Sequence, residues 1–498
     1  MSGRRYRFGP LEQRSVIGPL RAGQVAVLAL AALLGLGALY GLRSLPGMFV
    51  ALLALTTASA AIFVPVGGRT AEEWAPVALR WWLGGRRFGH SYRSSAPGAG
   101  VGLDAAGRQS FELSLPGALE TLDLLSIPYG SEEVGVVRDR REGTYTAAIA
   151  VRAGAFALRD TAEQERALDA WGGVLAGCAR DGSPIRRLQW LERTVPSQGD
   201  DLASYMQERR DRAVPLDSNL VRSYIELLES AAPVTQEHEV LVCLQIDQRR
   251  GGREIRRLGG GEEGAVELLL REAEALAQRL SAAEITVFGL LRPRRYAEVI
   301  RDAFDPFGRQ GRARAALGDP EREGVHPALI GPLAEETSWS SYRTDSAHHC
   351  TYWVSSWPRS DVGPTFLAPL LMRGTALRTV SVTIEPIPYS VAMRKAEMAQ
   401  TAEIAEEMAR ERQGFMTTAR IRRRQQAASR REEELADGHA QLRVASFITA
   451  YDASAELLER TRSDVEHGAQ LARLELQPLY GEQDGGFANT LPLCRGLR

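Results

Sequence analysis

The 498-residue sequence predicts an α+β fold: a two-helix transmembrane hairpin, then a cytoplasmic mixed α/β domain with a long helical arm and a C-terminal βαβ unit. Three observations predict it. Two uncharged apolar stretches stand at residues 25–42 and 45–66, strand-like runs interleave with helical periodicity from 111 to 387, and a charged, helically spaced stretch fills 391–436.

The length suffices for about three average domains and a large core, so no disulfide staple is required. With 61 basic and 62 acidic residues the net charge is −1, which argues against a globally basic nucleic-acid binder and a highly charged disordered chain. Direct nucleic-acid binding is therefore not expected. The four cysteines, at 178, 243, 350 and 494, form no CxxC pair, as expected of a body facing a reducing compartment. Among the 61 basic residues one is a lysine, Lys395, and this arginine bias with abundant Ala and Gly resembles GC-rich bacterial coding. A P-loop needs GxxxxGK[ST], whose lysine reaches the β and γ phosphates; Lys395 lies in SVAMRKA with no glycine nearby, so a standard P-loop NTPase is excluded.

Residues 25–42 (VAVLALAALLGLGALYGL) make about 27 Å of helix, close to a hydrocarbon core's thickness. Residues 45–66 add about 33 Å, with Pro46 and Gly47 marking the turn. Arg4, Arg5, Arg7, Arg14 and Arg21 precede the first span and Arg69, Arg80, Arg86, Arg87 and Arg93 follow the second, against Arg43 alone in the turn. Both termini are expected to be cytoplasmic, in a multi-pass protein of the cytoplasmic membrane. A signal peptide cleaved near Ala58-Ser59-Ala60 is disfavoured because both spans exceed the usual apolar region of about 7–15 residues. A buried soluble hairpin would need a large surrounding core. Gly37 and Gly41 fit a small-xxx-small helix-pairing pattern, which Ala/Gly-rich spans also produce by chance.

Thr70 to Glu73 resembles a capping box, and Trp74, Ala78, Trp81 and Trp82 share one face of a helix over 70–87, with Pro76 kinking it or marking its true start. Indole rings favour the headgroup level and arginines reach lipid phosphates. The expected membrane-interface residues are thus Trp74, Trp81, Trp82, Arg69, Arg80, Arg86 and Arg87. The alternative is that these tryptophans pack into the soluble body. The hairpin with this juxtamembrane helix forms a unit over 1–93.

Residues 94–104 are small and breaker-rich and read as a linker, followed by an α+β domain over 105–390. Strands are predicted at 111–115, 122–125, 134–137, 145–151, 185–192, 239–247, 285–291, 347–355 and 380–387, and helices at 161–180, 200–212, 217–231, 265–280 and 295–304. Residues 308–336, rich in Gly, Pro and charge, are expected to loop out. A helical arm spans 391–440, broken near Gly414 and without a sustained heptad. The final unit, 441–498, reads as strand 441–450, Asp452 as N-cap, helix 453–473 and strand 474–480. No repeat of 20–50 residues is apparent.

Several segments carry a resemblance: GTYTAAIAV at 143–151, EQERALDAW at 163–171, RRLQWLER at 186–193, and LQPLYGEQ at 476–483 continuing through Phe487 to Leu491-Pro492-Leu493. Here the sequence resembles the N-terminal domain of the CagE/TrbE class of type IV secretion and conjugation ATPases. The hairpin and its Trp/Arg tail resemble the PrgI-like inner-membrane subunit of the same machines. In the ATPase family such a C-terminal signature leads into a RecA-like domain, whereas this chain stops five residues after Leu493. With no P-loop, no catalytic residue of the family carries over. The resemblance implies a split arrangement, as in actinobacterial conjugation-like loci, where a separate P-loop ATPase hydrolyses ATP and this chain supplies the anchor and docking body.

Other motifs point elsewhere. Gly259 to Gly264 satisfies GxGxxG and precedes a helix, but no apolar strand leads into it and Glu262 and Glu263 would sit where a pyrophosphate belongs; a flexible loop is the better account. His348, His349 and Cys350 offer soft ligands, yet neighbours on a strand point to opposite faces, so alternating packing is expected rather than a metal site. Arg420 to Arg424 with Arg430 and Arg431 could grip nucleic acid or anionic lipid, although Glu432 to Glu434 offsets them and a solvated face is the simpler reading. No catalytic residue, metal or cofactor is expected. The sequence reading is a non-enzymatic platform of a type IV secretion or conjugative apparatus that docks a separate ATPase and contacts other channel subunits and the bilayer, with self-association left open. The alternative is a two-span subunit of an actinobacterial type VII secretion complex, and the third reading is a membrane-tethered nucleotide-binding protein.

Overall fold

A computed structural model describes residues 22–42, 45–64, 67–87, 90–94, 101–103, 109–111, 115–152, 154, 156–196, 214–215, 218–219, 221–224, 236–316, 324–372, 374–412, 429 and 433–497. Three helices come first: α1 (Ala22–Leu42), α2 (Leu45–Phe63) and α3 (Ala71–Arg87). Strands β1 (Ser91–Arg93), β2 (Val101–Leu103), β3 (Gln109–Phe111), β4 (Leu122–Tyr129), β5 (Glu132–Asp139) and β6 (Thr144–Arg152) follow, then α4 (Thr161–Cys178), β7 (Ile185–Pro196) and β8 (Gln236–Asp247). Next come α5 (Gly252–Arg257), α6 (Gly261–Ala282), β9 (Thr286–Leu290), α7 (Pro293–Phe304), α8 (Arg309–Ala316), β10 (Ala334–Thr337), β11 (Tyr342–Arg343) and β12 (His348–Ser356). The rest is α9 (Ala368–Leu371), β13 (Arg378–Pro386), α10 (Tyr389–Arg412), β14 (Leu442–Asp452), α11 (Ala455–Leu471), β15 (Glu475–Pro478) and α12 (Gln483–Ala488).

The body is a mixed α+β fold around a large antiparallel sheet, ordered β1-β10-β11-β12-β14-β13-β7-β8-β6-β5-β4-β3-β2, with β15 also on β12 and β9 also on β6. Strands buried on both faces read as apolar runs. In β8, Val242, Leu244 and Ile246 face one core, whereas Leu241 and Cys243 face another. The sheet cannot be flat. Twelve strand spacings would separate β1 from β2 by about 58 Å, yet the eight residue steps from Arg93 to Val101 reach at most about 29 Å. It curls instead, and Leu115 and Leu119, beside β4, share a core with Ile330 and Tyr342 from its far side.

The topology contains a duplication. In β6-α4-β7…β8-α6-β9 the strands lie in the order β9-β6-β8-β7, and in β12-α9-β13…β14-α11-β15 in the order β15-β12-β14-β13. Both are βαββαβ units of ferredoxin-like type. They join through the antiparallel pair β7·β13, with Leu191 opposite Ser381. Each has a register shift at the matching place, between Ala150 and Val151 where β6 meets β9 and between Val354 and Ser356 where β12 meets β15. Helices α4 and α6 pack on the first unit, α9 and α11 on the second. Opposite them, the concave side holds α7 and the C-terminal segment, with Tyr296, Phe304, Phe487, Leu491 and Leu493 buried together.

That C-terminal segment lies across a polar sheet face. Gln189 Nε2 donates to the Leu491 carbonyl at 2.9 Å and its Oε1 accepts from the Cys494 amide at 2.8 Å; Ser381 donates to Asn489 O at 2.9 Å and Thr383 to Arg495 O at 2.7 Å. Tyr296 donates to Pro492 O at 2.6 Å and Arg187 to Cys494 O at 3.3 Å. Strand side chains therefore satisfy a backbone that has no ladder of its own.

Several expectations change. The second apolar helix ends at Phe63, and α3 runs unbroken through Pro76. Residues 101–103 of the expected linker form β2 on β3. The segment expected to loop out contains α8, whose Arg309 pairs with Asp302 at 3.3 Å and with Glu239 at 2.5 Å. Ser454, not Asp452, caps α11, accepting from Leu457 N. Strands β14 and β15 of the C-terminal unit are not neighbours, because β12 lies between them. The break near Gly414, the residues 200–212 and the arginines 420–424, 430 and 431 lie outside the described residues.

Candidate functional site: the joint between hairpin and body

Helices α1 and α2 pack on each other, and residues 23–41 and 46–63 are long and apolar enough to cross a membrane. Their surfaces stay apolar and open, with Leu33, Leu34, Leu52 and Leu53 between 62% and 66% exposed. A tight turn at Gly67 and Gly68, at φ 59° and 80°, returns the chain into α3; only glycine adopts this conformation without strain. Half of the capping box forms: Thr70 N donates to Glu73 Oε2 at 3.1 Å, while Thr70 Oγ1 has no hydrogen-bond partner. The Glu72 carboxylate abuts the start of α1, 2.8 Å from where a Cβ on Gly23 would stand, so negative charge meets the positive end of that helix.

One face of α3 docks on the body. Trp74 stacks on Trp339 with centroids 5.7 Å apart and planes at 27°, and lies 6.0 Å from Tyr480. One α-helical repeat later, Trp81 stacks on His90 at 3.8 Å and meets Trp339 edge-on at 5.6 Å, with Val77 buried between. Glu482 accepts from Arg69 at 3.1 Å and from Arg80 at 2.6 Å, and the Arg69 guanidinium also lies 5.4 Å from the Trp74 ring. Gly481 permits this approach: at φ 69°, a Cβ there would lie 2.6 Å from Trp339. Strand β1 then pairs with β10, Tyr92 opposite Glu335, so the exit from α3 is also the edge of the sheet.

Of the residues expected at the membrane interface, Trp74, Trp81, Arg69 and Arg80 thus have protein partners, and Trp82 is 52% exposed. The side chains of Arg86 and Arg87 lie outside the described residues. Spacing alone put the three tryptophans on one face; the body takes Trp74 and Trp81 and leaves Trp82 on the flank. Sequence reasoning missed Glu482, Trp339, Tyr480 and His90, because their relation to α3 is set by tertiary contacts. Glu482 did lie within the LQPLYGEQ segment singled out above.

Beside the joint, Glu335 is pushed up to about 7 by burial, with Asp484 and Asp345 adding to the rise and a hydrogen bond from Tyr342 opposing it. His349 is fully buried, and burial lowers it to about 3. Its Nε2 meets Thr344 Oγ1 at 2.8 Å and its Nδ1 has no partner. His349 faces Tyr342 and Phe487, whereas Cys350 belongs to the core on the opposite sheet face, the alternation expected of a strand. Among the described residues no group of three or more His, Cys, Asp or Glu could hold a metal. The glycine run at 259–261 turns the chain between α5 and α6 with positive φ at all three glycines; a Cβ on Gly264 would lie 2.5 Å from Ile255 O, and Glu262 is paired with Arg138.

No curated protein matches the chain. Residues 234–354 match the family model for EccE, described as a putative type VII ESX secretion system translocon. The matched segment runs from β8 to β12 and contains Trp339, the residue on which both docked tryptophans of α3 converge. This similarity overturns the reading of the chain as a type IV secretion or conjugation component related to CagE/TrbE and favours the type VII alternative.

Proposed function

We propose that this protein is a membrane-anchored structural subunit of a type VII secretion translocon. The observation that carries the reading is the EccE match over 234–354, in a body tied through α3 to two helices apolar enough to span a bilayer. The hairpin holds the chain in the membrane with both flanks cytoplasmic, in keeping with the arginines on either side of it. The body works by geometry and contact, presenting its sheet and the α10 arm to other membrane subunits. ATP hydrolysis belongs to a separate chain, since Lys395, the sequence's one lysine, sits on the exposed side of α10 with no glycine-rich loop before it.

Affinity purification of the tagged full-length chain from native membranes in mild detergent tests this. Type VII membrane subunits should co-purify in fixed ratio. Recovery of conjugation-system subunits in their place, or of the chain alone, contradicts the proposal.

A further inference from the structure

Helix α3 has a second apolar face. While Trp74, Val77 and Trp81 turn toward the body, Leu79, Trp82 and Leu83 are 56%, 52% and 47% exposed, and Ala75 and Ala78 on the same flank are exposed as well. These five positions fall within about 140° of one another at 3.6 residues per turn. A helix with one face docked gains nothing for folding from a second apolar flank in water, so that flank needs its own cover.

We infer that the cover is the bilayer itself: α3 lies in the interfacial plane with Leu79, Trp82 and Leu83 at the boundary between headgroups and acyl chains, while its opposite face clamps the body. Continuity carries the argument. Helix α3 begins eight residues after Phe63, the last residue of α2, touches both α1 and α2, and its Glu72 abuts the start of α1, so it stands where the apolar spans leave the hydrocarbon. Leucine and tryptophan suit that depth, since the indole is apolar with one polar N–H. A protein cover fits less well. From Ala75 to Leu83 the flank is about 12 Å long and about 10 Å wide, or about 120 Å², well under the roughly 800 Å² per partner of a stable protein interface. The inference rests on the hairpin spanning a membrane, but not on which secretion system the chain serves.

Site-directed fluorescence quenching tests it with the full chain in anionic-lipid nanodiscs. The native cysteines are all buried, so a probe can be placed through Leu83→Cys, Leu34→Cys within α1, or Leu471→Cys on the body. At Leu83→Cys the probe should be quenched several-fold more by shallow nitroxide lipids than at Leu471→Cys, and should be poorly reached by iodide. Strong iodide quenching at Leu83→Cys overturns the inference, as does protection from both quenchers, which means a second copy or another protein covers the flank. Lipid quenching at Leu34→Cys separates the two levels: present there and absent at Leu83→Cys, it sinks the interfacial helix and leaves the anchor standing; absent at both, it sinks both.

Discussion

Trp74 of α3 stacks on Trp339 of the β10–β11 turn, centroids 5.7 Å apart, and this contact joins the apolar hairpin to the segment that matches EccE. It follows that the hairpin and the body share one structural joint, in which aromatic stacking supplies the area and Glu482 the polar tie. Trp74→Ala should cost about 2–3 kcal/mol, below the usual cost for a fully buried indole because Trp74 is half-buried. Trp82→Ala should cost less than about 0.5 kcal/mol in detergent. Denaturant unfolding of both variants checks the contrast.

Glu482→Gln weakens both arginine ties. Arg80 is 54% exposed, so its pair contributes little, and the loss of global stability should stay near about 1 kcal/mol or below. The local effect should be larger: hydrogen exchange across α3 should quicken while that of β7, β8 and β13 stays unchanged. Equal protection of α3 in variant and parent would mean that Glu482 is not the tie.

The C-terminal segment depends on Gln189, which holds Leu491 O and Cys494 N at once. Gln189→Ala strands both groups in the interior, and each buried unsatisfied group costs about 1–3 kcal/mol. A loss of about 2–4 kcal/mol is expected by denaturant titration, together with protease cleavage after residue 480.

Stability should vary with pH through two opposed groups. His349, lowered to about 3 by burial, stays neutral in the folded chain. The unfolded chain binds its extra proton below about 6.5, so this contribution is intact above that pH and falls as pH drops, by about 2 kcal/mol at pH 5. Glu335, pushed up to about 7, has the other sign: it keeps its proton when folded, and its contribution is lost as pH rises from about 4.5 through 7. Glu335→Gln should therefore raise the melting temperature at pH 8 and leave it nearly unchanged at pH 4.5. His349→Gln should flatten the acid side of the profile. Thermal scans across pH 4.5–8 decide both.

Much of the fold was legible because it depends on local pattern. The uncharged run of α1 declares itself by length, and β8 by an apolar stretch bounded by polar residues. What was not legible is non-local. Nothing in the spacing of β12 says that it will separate β14 from β15, and GFANTLPLC has no period, since its burial is arranged by Gln189 and Gln245 some hundreds of residues earlier. The duplication escaped a search for short repeats because its units agree in topology and register, not in evident sequence.

The type IV resemblance misled for a related reason. Its segments fall on β6, α4, β7 and the β15–α12 turn, which are framework elements of the βαββαβ units and the segment across them. Such positions speak to fold, whereas the machine a fold serves is not written in its core. For the joint, composition identified α3 and its tryptophans; their partition between body and outer flank required Trp339 and Tyr480 to be in place.

The most direct test is the protein profile of the culture medium after deletion of this chain in its native host. The account predicts that type VII substrates disappear from the medium, that conjugative transfer continues, and that the full-length chain restores export while a version lacking residues 22–63 does not. Undiminished type VII export, or a loss of conjugation in its place, would contradict it.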